Sequence, residues 1–257
     1  MRKRLGSIVI TLMILTGALL VAFPFVSQWF TANAQAHEVS EYSIVANQAS
    51  KDRFIDAVAA NEIHDITASL EQLQLDGVES IAALKIPAID VNIPVYPTDS
   101  DYDLQRGAGW MPVTDTPVGG SGTHSAISAH SGMPTKRMFD RLPRLEIGDV
   151  FTVEVLGETL VYRVFDIVVD TPKEGTKALA RQPGRDLLSL ITCTPYGINT
   201  HRLIVTAERV EEAPVTTPPS HSSPTPWVAF VVVTVVSGCA YWVYSRGRQV
   251  HGAHVAA

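Results

Sequence analysis

Two stretches without a single charge, 8–26 (IVITLMILTGALLVAFPFV) and 227–245 (WVAFVVVTVVSGCAYWVYS), set the outer limits of any fold open to this chain. A helix of that length spans about 28 Å, the thickness of a bilayer's hydrocarbon core. Five of the 20 basic residues, Arg2, Lys3, Arg4, Arg246 and Arg248, lie just outside these runs, and all 26 acidic residues lie between them. Residues 27–226 therefore hold 15 basic against 26 acidic side chains, a net of −11. Basic ends flanking apolar runs stay in the cytoplasm, so the acidic middle is expected on the far side of the membrane.

The first run is either a signal-anchor helix or a cleavable signal peptide, since Ala32-Asn33-Ala34 offers a small-x-small cleavage site. The second, with Trp227, Tyr241, Trp242 and Tyr244 toward its ends, reads as a transmembrane helix followed by a cytoplasmic tail, 246–257. Between barrel and tail helix, residues 213–226 hold five prolines in 14 positions, the composition of an extended linker. With 46% hydrophobic residues the chain is no disordered protein, and an isoelectric point near 5.7 argues against a nucleic-acid partner. Two cysteines cannot staple a disulfide scaffold.

Residues 1–36 thus form the N-terminal signal segment and 37–80 a polar helical prelude, with Phe54, Val58, Ile66, Leu70 and Leu73 on a loose helical period that predicts one or two amphipathic helices. His64 is expected to be solvated there. From 81 to 212 the pattern changes to short β-branched runs: 81–86, 91–96, 124–129, 150–156, 159–170, 187–193 and 202–210. Gly157-Glu158 marks a hairpin turn, and one short helix is expected at about 135–141. Seven or eight strands in about 130 residues predict a mostly β fold, a single closed or nearly closed eight-stranded β-barrel with N-terminal helices and short connecting helices.

Cys193 is the one thiol in the exported part, Cys239 lying in the tail run. It ends the apolar strand LLSLIT and precedes the turn sequence Thr194-Pro195-Tyr196-Gly197, where a rigid element can hold a nucleophile within reach of substrate. A buried structural cysteine is the competing reading. Arg202 opens the next strand; if the two strands pair, a permanent cation stands beside the sulfur, suited to a thiolate or to a developing oxyanion. His130 follows the strand HSAISA and can pair with a thiol and protonate a leaving amine. His124 lies at the opposite end of that strand, and His201 alternates with Arg202 and should face away from it. A carboxylate cluster of calcium-loop spacing is not evident, so no metal and no cofactor is expected.

These residues carry a resemblance. The segments LITCTPYGINTHRLIVTAER (190–209), PVGGSGTHSAISAHSGMPTKRMFDRLPRLEIGD (117–149), VLGETLVYRV (155–164) and LKIPAIDVNIPVY (84–96) resemble the sortases, in particular the class C, pilin-polymerising sortases of Gram-positive bacteria. The resemblance implies Cys193 as nucleophile, His130 as general acid and Arg202 as positioning or oxyanion-stabilising residue. It implies a membrane-anchored cysteine transpeptidase that cleaves an LPXTG-type signal between Thr and Gly through a thioester. The acyl group then passes to an amine, a pilin lysine or the peptidoglycan cross-bridge. Two departures stand out. The family's Gly-His-Arg-Gly is here Ala129-His130-Ser131-Gly132, and residues 37–83 hold no proline, whereas many class C enzymes carry a lid with an Asp-Pro-aromatic motif. An open site is therefore expected. A non-catalytic surface binding module, or a pilus component, would be expected to carry a sorting signal of its own, and 211–226 contains none. A hydrolytic cysteine protease would differ in resolving the thioester with water.

Overall fold

The computed structural model describes residues 2–172, 175–211 and 238, so the expected linker, the C-terminal transmembrane run and the tail lie outside the described residues apart from Gly238. The chain divides into two compact units, and the one that concerns function is Phe30–Ser220. Its centre is a closed barrel of eight strands: β1 (Ala82–Ile86), β2 (Val91–Tyr96), β3 (Ala108–Trp110), β4 (Thr123–Ser128), β5 (Val150–Val155), β6 (Glu158–Asp170), β7 (Asp186–Thr194) and β8 (His201–Arg209). Around the barrel they run β1-β2-β3-β4-β7-β8-β6-β5, with β5 closing on β1. Closure leaves no open edge, which is how a small antiparallel sheet protects its backbone polar groups.

The pairings are antiparallel except β2 with β3 and β4 with β7. Parallel neighbours need a long crossover, and the segment from β4 to β7 contains both β5 and β6. β7 therefore sits between β4 and β8, buried on both faces along most of its length, which is why its sequence reads as an unbroken apolar run.

Alternation divides the strands into two faces. Leu188 and Leu190 of β7, Ile127 of β4, and Leu203, Val205 and Ala207 of β8 point into the barrel core, with Trp110, Phe151 and Tyr162 among the largest fully buried side chains. Ala126, Ile191 and Ile204 have the other parity and form a separate, outward cluster.

Helix α1 (Arg2–Ala46) runs unbroken through 32–34 and is long and apolar enough to cross a membrane. Its last turns belong to the barrel unit: Tyr42 and Ala46 are fully buried, and the Tyr42 hydroxyl donates to Ile81 O at 2.8 Å and accepts from Leu156 N–H at 3.1 Å. α2 (Lys51–Glu62) and α3 (Ile66–Leu73) follow, each opened by a side-chain cap, Ser50 and Asp65. Phe54, Val58, Ile66 and Leu70 pack against the barrel core and Leu73 is buried in it, so the prelude is docked on the barrel.

Three local expectations need correction. β3 has no counterpart among the expected runs: at three residues it is too short to show a period. The hairpin between β5 and β6 turns on Leu156-Gly157, one residue earlier than expected, both at positive φ (50° and 80°), with Val155 opposite Glu158. The helix expected at about 135–141 does not form. Met138, Phe139 and Leu142 all turn into the core, and the backbone uses Phe139 N–H to His130 O and Asp140 N–H to Arg137 O instead of a helical ladder. A short α4 (Asp101–Leu104) and 3₁₀ turns at Pro87–Ile89, Leu142–Arg144 and Gly175–Leu179 complete the described elements.

Candidate active site

Strand register brings the three sequence-selected residues together. In the antiparallel pair β7–β8, Cys193 lies directly opposite Arg202, where side chains on one face stand about 5 Å apart at Cβ. In the parallel pair β4–β7, the last matched position is Ser128 opposite Ile191. Beyond it the chains stay joined: Ala129 N–H donates to Ile191 O at 3.1 Å, the Thr192 hydroxyl to Ala129 O at 2.8 Å, and the Ser131 hydroxyl to Cys193 O at 2.7 Å. Continued at the same offset, that register sets His130 opposite Cys193. Arg202, Cys193 and, two residues past the end of β4, His130 therefore lie in one row across neighbouring segments, with Cys193 in the middle. On the other flank of Arg202 the row reaches Asp170 of β6.

The row is on the outward face, since Cys193 shares parity with Ile191 rather than with the core residue Leu190. All three side chains are half-buried, placed where the strands leave the barrel wall. The barrel supplies rigidity and the loops supply access.

The surroundings fix the row. After Cys193 the chain reverses through a cis Thr194–Pro195 peptide, and Pro195 O accepts from Ile198 and Asn199 N–H. Tyr196 and Ile198 of this turn are exposed. The Arg202 guanidinium donates to Asn199 O and His201 O at 3.3 and 3.1 Å. Those bonds hold it close to its own strand end. His201, opposite Thr194, has the other parity, as expected, and its Nδ1 meets the Thr200 hydroxyl at 2.9 Å. On the His130 side, Gly132 adopts φ 85°, a conformation that favours glycine, and its N–H donates to Asp140 at 2.7 Å. Burial pushes the Asp140 carboxyl up, against the lowering pull of that amide and of Arg137 and Arg141.

Of the other histidines, His124 is buried far along the same strand, and burial lowers its affinity for a proton. His64 is exposed, as expected, and its Nδ1 lies 3.3 Å from the buried Asp115 carboxylate. A cavity of about 260 Å³ lined by Val39, Lys85, Phe151 and Glu154 lies on the β1–β5 side, across the barrel from the thiol.

Next to Cys193 on the outward face runs an apolar strip, Ala126, Ile191 and Ile204, against which Met111, Ala178 and Leu179 pack. A cysteine whose neighbouring chain segments carry a histidine and an arginine, at the end of an apolar strip, has the residue types that acyl transfer from a peptide through a thioester needs. Sequence reasoning missed Ser131 and Asp140, which hold the His130 segment. Ser131 stood out only as a departure from a pattern, and nothing local links Asp140 to Gly132.

A closed eight-stranded barrel with this row on its rim defines a cysteine-dependent acyl-transfer enzyme. Residues 84–210 match the sortase domain family model. The chain is 34% identical to a sortase C of Streptococcus pneumoniae, whose structure is described as bearing on pilin substrate specificity, with a TM-score of 0.62 over 69% of this chain and 98% of that one. It is 47% identical to sortase C-1 of Actinomyces oris, with a TM-score of 0.54 over 57% of this chain and 81% of that one. Among curated proteins it is 24% identical to sortase A of Bacillus anthracis over 209 residues, 81% of this chain and 96% of that one. The chain belongs to the sortase family and is a sortase-type cysteine transpeptidase.

Proposed function

We propose that this protein is a class C sortase, held in the membrane with its barrel outside the cell and both termini in the cytoplasm, that joins LPXTG-type proteins to an amine, foremost a pilin lysine. The observation that carries the chemistry is Cys193 of β7 directly opposite Arg202 of β8, with the segment just past the end of β4, which bears His130, bonded to the Cys193 backbone through Ser131. The likeness to sortase C structures supports the pilin acceptor, and the charge segregation along the chain supports the topology.

In this reading the Cys193 thiolate attacks the Thr carbonyl carbon, a C–S bond forms, and the carbonyl oxygen takes the negative charge beside Arg202. The C–N bond to Gly then breaks as His130, protonated, gives its proton to the departing amine. The acceptor amine attacks the thioester, a new C–N bond forms, its proton passes to His130, and the thiolate leaves. The apolar strip gives a side chain of the signal a dry place beside the thiol.

A second acceptor, the peptidoglycan cross-bridge amine, is favoured by the relatives that are A-type sortases. One experiment separates the readings. The full chain in detergent is incubated with an LPXTG-type peptide and followed by intact mass, first alone and then with pilin-lysine or cross-bridge peptides. Expected are a Thr-terminated acyl adduct on Cys193, its transfer to the lysine peptide, and no adduct on Cys193→Ala. Product formation by Cys193→Ala sinks the mechanism, and transfer to the cross-bridge peptide alone sinks the pilin assignment.

A further inference from the structure

Away from the row, buried polar groups converge on one carboxylate. Asp115, between β3 and β4, is fully buried at its side chain, and both oxygens are occupied. Arg181 grips it with Nε to Oδ2 at 2.8 Å and Nη2 to Oδ1 at 2.7 Å, His124 N–H donates to Oδ2 at 2.8 Å, and His64 Nδ1 lies 3.3 Å from Oδ1. Burial alone would push this carboxyl up; the Arg181 fork and the His124 amide outweigh it and hold it below its ordinary value.

The ring of His124 makes a second attachment. Its Nδ1 is 3.0 Å from Ala180 O, and its Nε2 is 2.8 Å from the Ser189 hydroxyl, which in turn meets the Thr206 hydroxyl at 3.0 Å. A carbonyl can only accept, so the proton sits on Nδ1 and Nε2 accepts from Ser189. Two consecutive residues of the connection from β6 to β7, Ala180 and Arg181, are thus fastened to the β4 side of the barrel, one by its carbonyl and the other by its guanidinium. The two residues just before them, Ala178 and Leu179, are the ones packed on Ala126, Ile191 and Ile204 beside Cys193.

A bidentate arginine–carboxylate pair fixes direction as well as distance, and here the carboxylate end cannot move because it is enclosed. We propose that Asp115, through Arg181 and the His124 ring, is a positioning residue that sets Ala178 and Leu179 as a preformed wall of the apolar strip and so determines which signal side chain is accepted beside Cys193. The inference rests on the acyl-transfer reading above. It makes selectivity depend on a contact pair 66 residues apart in sequence, on residues that touch no reacting atom.

The test is kinetic and uses the full chain in detergent with LPXTG-type peptides whose first residue is Leu, Met, Val or Ala. Arg181 is 45% exposed at its side chain, so Arg181→Met leaves the core filled. It is expected to raise KM for the Leu peptide about tenfold and to flatten the ranking of the four peptides, with the loss in KM rather than kcat; a side chain in an apolar pocket discriminates by roughly 10- to 200-fold. Leu179→Ala should do the same, and the double variant should lose less than about twofold more, because the two changes remove one wall. Arg181→Lys, which keeps the charge but not the fork, should recover part of the loss and carries the test should Arg181→Met fail to fold. An unchanged KM and ranking in Arg181→Met or, in its place, Arg181→Lys, or full multiplication of the two effects, overturns the wall. Absence of any acyl adduct on the unsubstituted chain overturns the acyl-transfer reading itself, and the wall with it.

Discussion

Ser131 occupies the place where the resemblance leads one to expect an arginine, and its hydroxyl donates to Cys193 O at 2.7 Å. That bond ties the residue after His130 to the backbone of Cys193 beyond the last matched pair of β4 and β7. Ser131→Ala removes the donor and little volume. Cys193 is half-buried, so its carbonyl can turn to water and the full penalty of a stranded buried acceptor does not apply. A hydrogen bond of this kind is worth roughly 0.5–1.5 kcal/mol net. Since every 1.36 kcal/mol is tenfold in rate, the expected loss in kcat/KM is about two- to twelvefold if all of it is felt at the reacting geometry. The assay is stopped-flow acylation of the full chain in detergent with a fluorogenic LPXTG-type peptide, at saturating and limiting peptide. KM should move little, because Ser131 does not line the apolar strip. A kcat/KM within error of the unsubstituted chain would show that the two strands hold His130 beside Cys193 without this bond. A loss confined to KM would place Ser131 in peptide binding instead.

Two other substitutions probe separate parts of the structure. Arg202→Ala should lower turnover by about 10²- to 10³-fold if the guanidinium faces the oxyanion, with Arg202→Lys in between because it keeps charge without the planar fork; near-normal turnover in the same acylation assay would leave Arg202 a strand-end residue. Tyr42→Phe strands two buried backbone partners, Ile81 O and Leu156 N–H, at roughly 1–3 kcal/mol each. It should lower the melting temperature by about 4–24 °C at ~2–4 °C per kcal/mol, and a change below about 2 °C, the lower end of that scale for a single kcal/mol, would deny the end of α1 a structural role.

The barrel was legible because its strands are long enough to show a period. The seven runs read from β-branched residues and turn signals all became strands, whereas β3, three residues around Gly109, had too little sequence to announce itself. The expected helix near 135–141 failed for a different reason. Met138, Phe139 and Leu142 do recur at helical spacing, but Gly132, at positive φ, and Asp140 fasten that segment to the His130 loop in another conformation. Tertiary contacts overrode a local signal. At the site, Cys193 and Arg202 could be joined by assuming a hairpin, since one loop separates them. The neighbourhood of His130 and Cys193 depends on parallel pairing between β4 and β7 across two intervening strands. No pattern in the residues specifies that pairing, and only the resemblance suggested it. Asp115 with Arg181 was invisible for the same reason, as was the pairing of His64 with that carboxylate.

The period of two along β7 separates stability from function within a single strand. Leu188 and Leu190 face the core with Val205 and Ile127, and truncating them should act through cavities and lost burial. Ser189, Ile191 and Cys193 face outward, and they differ in what they meet there. Ser189 receives the His124 ring, Ile191 floors the apolar strip, and Cys193 presents the thiol. Moving along the outward face from Ser189 to Cys193 thus runs from the Ser189 contact with His124, through the floor of the apolar strip, to the thiol. A one-residue slip of β7 against β4 would put all three into the core and all the core leucines into the groove. Register is therefore the quantity on which chemistry, selectivity and stability jointly depend. The closed order of eight strands fixes that register from both sides of β7 at once, through β4 on one flank and β8 on the other.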